Sequence, residues 1–158
     1  MAKILVTYYS KTGKTESMAK EVIKGVEKEG VDCDLINIES FDVNSLIKYA
    51  GIIMGSPTYY GLPAAEIKKV IDESVRFHGK LAGKVGGAFT SAGNIGGGNE
   101  TTILAILQAF IVHGMIVQGA AQGDHYGPVS IGSPDERAII QCKLLGENVA
   151  KLVKKLGL

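Results

Sequence analysis

The stretch Ile4-Leu5-Val6-Thr7-Tyr8-Tyr9-Ser10-Lys11-Thr12-Gly13-Lys14-Thr15-Glu16 decides how the rest of the chain is read. Ile4-Leu5-Val6 has the length and β-branched content of a buried strand, and Met18, Val22 and Val26 follow at the spacing of one helix face. Strand, tight loop and helix is therefore the local plan. Such a loop leaves the first helical N–H groups unpaired at the positive end of the helix dipole, which favours an anion. The hydroxyls of Ser10, Thr12 and Thr15 gather at the same place. Hydroxyl and backbone donors with no obligatory metal suit a terminal phosphate monoester.

Taken alone, S-x-T-G-x-T is explained as well by helix capping through Ser10 and Thr12. Gly13-Lys14-Thr15 also matches the end of the nucleotide P-loop. That motif needs a glycine five residues before Gly13, where Tyr8 stands, so Walker-type nucleotide binding is set aside.

The whole chain sets bounds on this reading. Its 158 residues are expected to form one domain, 1–158, with 46% hydrophobic residues and 21 glycines fitting an α/β protein with several tight crossovers. No apolar run reaches the length of a membrane span, and Met1-Ala2-Lys3 leads directly into the first strand, so neither a span nor a signal peptide is expected and a cytoplasmic setting is predicted. Cys33 and Cys142 form no C-x-x-C pair and read by default as two buried reduced thiols, with a structural disulfide between them as the alternative. A net charge of +1 is not the footprint of a nucleic-acid binder.

In order, the pattern predicts a helix from Gly13 to about Glu29 and an outer strand over Val31–Ile38. A short helical piece over Phe41–Tyr49 and a central strand over Gly51–Gly55 follow. Ser56–Pro63, with two prolines and a glycine, reads as a rigid loop, and Ala64–Phe77 as an amphipathic helix. A fourth strand is expected at Gly83–Thr90, its small residues implying close helix packing, and a glycine-rich loop at Ser91–Asn99. The helix Glu100–His113 is apolar around most of its circumference. A fifth strand at Met115–Gln118, an irregular stretch to Pro134 and a helix over Asp135–Leu156 complete the chain. Five strands alternating with helices imply a parallel sheet covered on both faces, with ligands beyond the carboxyl ends of the strands. The loops beginning at Ser10, Ser56 and Thr90 meet at that edge. One brings a phosphate cradle, one the tyrosines Tyr59 and Tyr60, and one the glycine-rich backbone Gly93-Asn94-Ile95-Gly96-Gly97-Gly98. A phosphorylated planar cofactor fits that constellation.

On these motifs the chain resembles a flavodoxin-fold FMN protein over almost its full length. Ser10-Lys11-Thr12-Gly13-Lys14-Thr15 is similar to that family's phosphate loop. Ser56-Pro57-Thr58-Tyr59-Tyr60-Gly61 and Thr90-Ser91-Ala92-Gly93 are similar to its two isoalloxazine loops. The Pro57-Thr58-x-x-Gly61 pattern, Gly96-Gly97-Gly98-Asn99-Glu100, His113-Gly114-Met115 and Tyr126-Gly127 resemble the Trp-repressor-binding-protein type of NAD(P)H:quinone oxidoreductase. The resemblance implies a flavodoxin-like three-layer α/β sandwich with a five-stranded parallel sheet in the order 2-1-3-4-5. It implies FMN as cofactor, with the phosphate held by the hydroxyls of Ser10, Thr12 and Thr15 and the backbone of Lys11, Gly13 and Lys14. Pro57, Thr58, Tyr59, Tyr60 and Gly61 would line the ring, Gly61 near flavin N5, and Ser91, Ala92, Gly93, Asn94 and Gly97 its pyrimidine side. NADH or NADPH would be a transient co-substrate, a quinone or other small electron acceptor the partner, and a homodimer or homotetramer the assembly. The chain is shorter than typical members of that group and lacks their insertion after the second strand.

A one-electron carrier of this fold generally shields its ring between aromatics from both loops and presents acidic surface to a redox protein partner. Here the second loop has no aromatic residue, the chain has no Trp and the charge is not acidic. An open flavin face is expected, on which a nicotinamide passes hydride to N5 and a quinone then takes two electrons in ping-pong fashion. A flavodoxin-type carrier and a redox-sensing flavoprotein are the alternatives. His125 and Tyr126 are the candidate catalytic residues, His125 as proton donor to a reduced quinone, although a surface-loop histidine explains the same residue. His113 reads as a helix-end residue with a dipole or interface role and His78 as solvated. No metal-ligand spacing is present. Lys20, Lys24 and Lys28 read as a solvated stripe.

Overall fold

In the computed structural model, which describes residues 2–158, the apolar run Ile4–Val6 lies in β1 (Lys3–Tyr8). Met1, with which the 1–158 span begins, lies outside the described residues. The chain continues through α1 (Lys14–Lys28), β2 (Asp32–Asn37), β3 (Gly51–Tyr59), β4 (Leu62–Pro63), α2 (Ala65–Glu73) and β5 (Val85–Ala92). It ends with α3 (Asn99–Val112), β6 (Ile116–Val117), β7 (Val129–Ile131) and α4 (Glu136–Leu156). The expected helical piece at Phe41–Tyr49 is a 3₁₀ turn over Val43–Lys48, and the helix expected over Ala64–Phe77 tightens into a 3₁₀ turn at Ser74–Phe77.

The parallel sheet runs β2-β1-β3-β5-β6, the five positions and order that the resemblance implied. Among the described residues the strand count is seven rather than the expected five. The fifth position is split, because β6 pairs with the start of β5 at Val85–Gly86 and β7 with its end at Thr90–Ala92. Residues 118–128 loop out between the two halves. The other added strand arises because β3 continues through the expected rigid loop to Tyr59 and turns back, antiparallel, into β4.

Central strands are apolar on both faces because helices cover both. On one side Leu5, Ile52, Met54 and Ala88 pack against Ile67 and Val70 of α2 and Ile103, Ile106 and Phe110 of α3. On the other, Ile4, Val6, Ile53 and Phe89 meet Met18, Val22 and Val26 of α1 and Cys142, Val149 and Val153 of α4. β2 lies at the sheet edge, and its alternation follows from that exposure. The edge position also corrects the reading of the thiols. Both cysteines are free, but only Cys142 is buried, while Cys33 on β2 is half-buried. Burial pushes the Cys33 thiol up to about 11 and that of Cys142 to about 12.

The small residues of β5 admit helices closely, as expected. A Cβ on Gly86 would lie 2.7 Å from the Phe110 ring of α3, and one on Gly87 3.1 Å from Leu145 of α4. The helices α1 and α4 meet through glycine backbone: a Cβ on Gly25 would overlap the Lys143 carbonyl oxygen, and one on Gly146 that of Val22. The lysine stripe of α1 is ion-paired, Lys20 to Glu16, Lys24 to Glu21 and Lys28 to Glu147, all at surface sites where such pairs contribute little. None of the described helices is long and apolar enough to cross a membrane.

Candidate functional site

β1 delivers Ser10–Gly13 to the carboxyl edge of the sheet, beside the crevice between β1 and β3 where the strand order reverses. Gly13 is the N-cap of α1 in a left-handed conformation (φ 85°), and among the described residues no side chain caps the helix. The Ser10 hydroxyl accepts from the Gly13 N–H at 3.1 Å, outside the helix proper. The first-turn N–H groups of α1 are thus free of side-chain acceptors, and the capping explanation of Ser10 and Thr12 does not describe this structure. Ser10, Lys11, Thr12, Lys14 and Thr15 line a cavity of about 170 Å³, which Pro57, Thr58, Tyr59, Ser91, Ala92 and Gly93 complete.

A second, wider cavity of about 600 Å³ opens beside it, lined by Thr58, Tyr59, Tyr60, Ala92, Gly93, Asn94 and Gly97. Four residues line both, so the phosphate-sized and the ring-sized spaces are continuous. The tyrosines sit on the hairpin that joins β3 to β4. Its two turn residues, Tyr60 (φ 50°) and Gly61 (φ 79°), both have positive φ, the signature of a type I′ turn. Tyr60 is fully exposed. Gly61, expected near the ring, lines neither cavity. Its carbonyl oxygen faces the Thr101 hydroxyl of α3 at 2.9 Å.

Side-chain hydroxyls tie the three loops together. The Thr90 hydroxyl donates to the Ser56 carbonyl at 2.7 Å, so its oxygen accepts from Thr58 at 2.8 Å. Thr15 and Ser91 are paired at 2.8 Å. The glycine-rich loop is stitched by Asn99, which accepts from the Gly96 N–H at 3.1 Å and donates to the Asn94 carbonyl at 3.3 Å. Thr90, Asn99 and Thr101 were not read as site residues. The available signal was a run of polar residues, Asn99, Glu100, Thr101 and Thr102, opening an otherwise apolar helix directly after the glycines.

His125 and Tyr126 are not brought to this place. They lie in the excursion 118–128 and line a separate groove of about 530 Å³ with Ile95, Asn99, Glu100, Asp124 and Arg137. The His125 Nδ1–H donates to the Ala120 carbonyl at 2.8 Å. The excursion is latched to α4, since the Asp124 carboxylate pairs with Arg137 at 2.7 Å and its N–H donates to Gln141 at 3.1 Å. His113 is buried against Ser74, with Nε2 at 2.8 Å from the hydroxyl, and burial lowers its pKa. At the C-terminal end of α3 the His113 side chain is packed inside the fold; His78 is exposed, as expected. Among the described residues no group of three His, Cys, Asp or Glu side chains is placed to hold a metal ion.

The family model described as Flavodoxin matches residues 6–105. The chain is similar to a protein named flavodoxin from Clostridium saccharobutylicum, 40% identical over 98% of this chain and 99% of that one. It is also similar to a protein named NAD(P)H dehydrogenase (quinone) from Archaeoglobus fulgidus, 34% identical over 99% of this chain and 100% of that one. That second alignment runs over 190 positions, so the relative carries segments that the 158 residues here lack. A solved structure described as a flavodoxin, WrbA-like protein from Agrobacterium tumefaciens superposes with a TM-score of 0.84 at 26% identity, covering 98% of this chain and 99% of that one.

Proposed function

Because this chain belongs to the flavodoxin family, we propose that it binds FMN across the two continuous cavities and works as an NAD(P)H:quinone oxidoreductase. The fit is chemical. The uncapped first turn of α1 and the hydroxyls of Ser10, Thr12 and Thr15 form a donor set for a phosphate, and the adjoining space has aromatic side chains for a planar ring. Bound FMN supplies reversible two-electron acceptance of hydride from a nicotinamide and its delivery to a quinone.

This chain's residues divide the remaining work. Thr12 and Thr15 would hold the phosphate by their hydroxyls, with the Lys14 N–H beside them, while the Gly13 N–H is engaged by Ser10. Tyr59 and Tyr60 supply stacking surface. The Gly93–Gly97 backbone, held in shape by Asn99, offers N–H groups toward negative charge that develops on the ring.

One observation carries the choice of a two-electron enzyme. Both aromatic residues of the ring cavity come from one hairpin, and the facing loop contributes only Ala92, Gly93, Asn94 and Gly97. A ring stacked on the tyrosines keeps a face on which a nicotinamide and then a quinone can lie. A flavodoxin-type carrier is the second reading, favoured by the 40% identity to a protein of that name aligned over 160 positions, without added segments.

Titrating the apoprotein with FMN tests the cofactor assignment. Thr12→Ala combined with Thr15→Ala should weaken binding by at least about a hundredfold, roughly two charge-assisted hydrogen bonds, with the fold intact. Unchanged affinity in that double variant would remove the phosphate loop from the proposal.

A further inference from the structure

The Thr15 and Ser91 hydroxyls, 2.8 Å apart, join residues separated by 76 positions in the chain, with Thr15 1% and Ser91 5% exposed. By resemblance to the family, Thr15 belongs on the phosphate and Ser91 beside the ring. Ser91 is absent from the lining of the ring-sized cavity and belongs to that of the phosphate-sized one, and strand geometry explains why. It belongs to β5, where successive side chains point to opposite faces. Phe89 packs with α1 and α4, and Ser91, two residues on, shares that face and meets the first turn of α1. Thr90 points the other way and is occupied with Ser56 and Thr58. Among the described residues neither the Thr15 nor the Ser91 hydroxyl has a second side-chain or backbone partner.

A hydroxyl has one proton to donate. A phosphate monoester dianion presents acceptors only, so Thr15 facing it must donate, and its oxygen is then left to accept. Ser91 is the donor within reach. We propose that Ser91 is a positioning residue of the phosphate subsite: by donating to the Thr15 oxygen it aims the Thr15 proton at the phosphate, and so makes this site discriminate FMN from unphosphorylated riboflavin. The inference rests on the FMN reading above. Hydrogen bonds in series strengthen one another, so although Ser91 also lines the phosphate-sized cavity, its effect on affinity in this relay passes through Thr15, and the double variant separates that route from a direct contact.

The experiment compares FMN and riboflavin binding to the apoprotein by quenching of flavin fluorescence, for wild type, Ser91→Ala, Thr15→Val and the double variant. The expected result is about a tenfold loss of FMN affinity in Ser91→Ala, with riboflavin affinity changed less than about twofold. The double variant should lose no more than Thr15→Val alone, as two members of one relay do. Ser91→Thr, which keeps the hydroxyl, should restore discrimination, and Ser91→Cys, a weaker donor, substitutes for the alanine variant if that chain does not fold. Equal losses for both flavins would make Ser91 a ring contact and overturn the relay, as would a Ser91→Ala protein with wild-type affinity for FMN. Wild-type protein that binds neither flavin overturns the FMN reading itself, and the relay with it.

Discussion

The Thr101 hydroxyl of α3 lies 2.9 Å from the Gly61 carbonyl oxygen and 3.0 Å from that of Gly98, so one side chain clamps the tip of the tyrosine hairpin to the glycine-rich loop. The two backbones are in contact there, since a Cβ on Gly98 (φ 100°) would overlap Gly61 Cα. Thr101→Val keeps the shape and removes the clamp. It should cost about 1 kcal/mol of stability in urea unfolding and weaken FMN binding several-fold. Thr101→Ser should be close to wild type in both.

Tyr60 is the only non-glycine residue with positive φ among the described residues. A left-handed conformation costs a side chain with a Cβ about 1 kcal/mol, and an exposed Tyr60 recovers none of it by burial. Tyr60→Gly should therefore raise the urea midpoint by an amount equivalent to about 1 kcal/mol while lowering FMN affinity. Stability and binding moving in opposite directions would identify strain retained for ligand stacking. Loss of both would mean that the ring packs on the hairpin in the free protein.

The contact between α1 and α4 is set by Gly25 and Gly146, each facing backbone of the other helix. Gly146→Ala relieves the helix-propensity penalty of glycine, about 1 kcal/mol, but drives a methyl group into the Val22 carbonyl. Overpacking against backbone dominates, so thermal or urea unfolding should show a net loss on the order of 1–3 kcal/mol.

His113 gives a pH dependence of definite sign. The Ser74 hydroxyl donates to the Ile71 carbonyl at 2.6 Å, so it accepts from His113 Nε2–H, and Nδ1 is left buried without a partner among the described residues. Burial, with nearby His78 as the lesser cause, lowers the pKa below its ordinary 6.5. The unfolded chain therefore binds the proton more tightly than the native one. Stability from this group is complete above 6.5 and declines as pH falls through 6.5 toward the lowered native value. Urea midpoints between about pH 7.5 and 5.5 should drop for wild type and show a shallower slope for His113→Gln. A wild-type profile flat over that range contradicts the assignment.

Much of this molecule is legible in sequence because its core strands are local patterns. Ile4–Val6 and Gly51–Gly55 are apolar on both faces, and helix spacing in Met18, Val22 and Val26 needs no tertiary information. What escaped reading is defined by distant partners. Val129–Ile131 is three residues long and becomes a strand only because it pairs along Thr90–Ala92 of β5. Gly146 inside a helix is unfavourable until Val22 is opposite. The region after Thr90 reads as a loop on its glycines, yet β5 runs to Ala92, and that two-residue extension is what turns the Ser91 hydroxyl toward Thr15. His125 and Tyr126 lie on an excursion whose course is fixed by Arg137 and Gln141, which no local pattern reveals.

On the proposed function, this chain holds FMN with one ring face open to small substrates. The most direct test of that function is to mix the FMN-loaded protein anaerobically with NADH or NADPH, follow flavin absorbance, and then add benzoquinone. Rapid bleaching by one of the nucleotides, and rapid recovery of the oxidised spectrum on adding the quinone, are expected. FMN that stays oxidised with both nucleotides, yet is reduced by a protein electron donor, would contradict that function and establish a flavodoxin-type carrier.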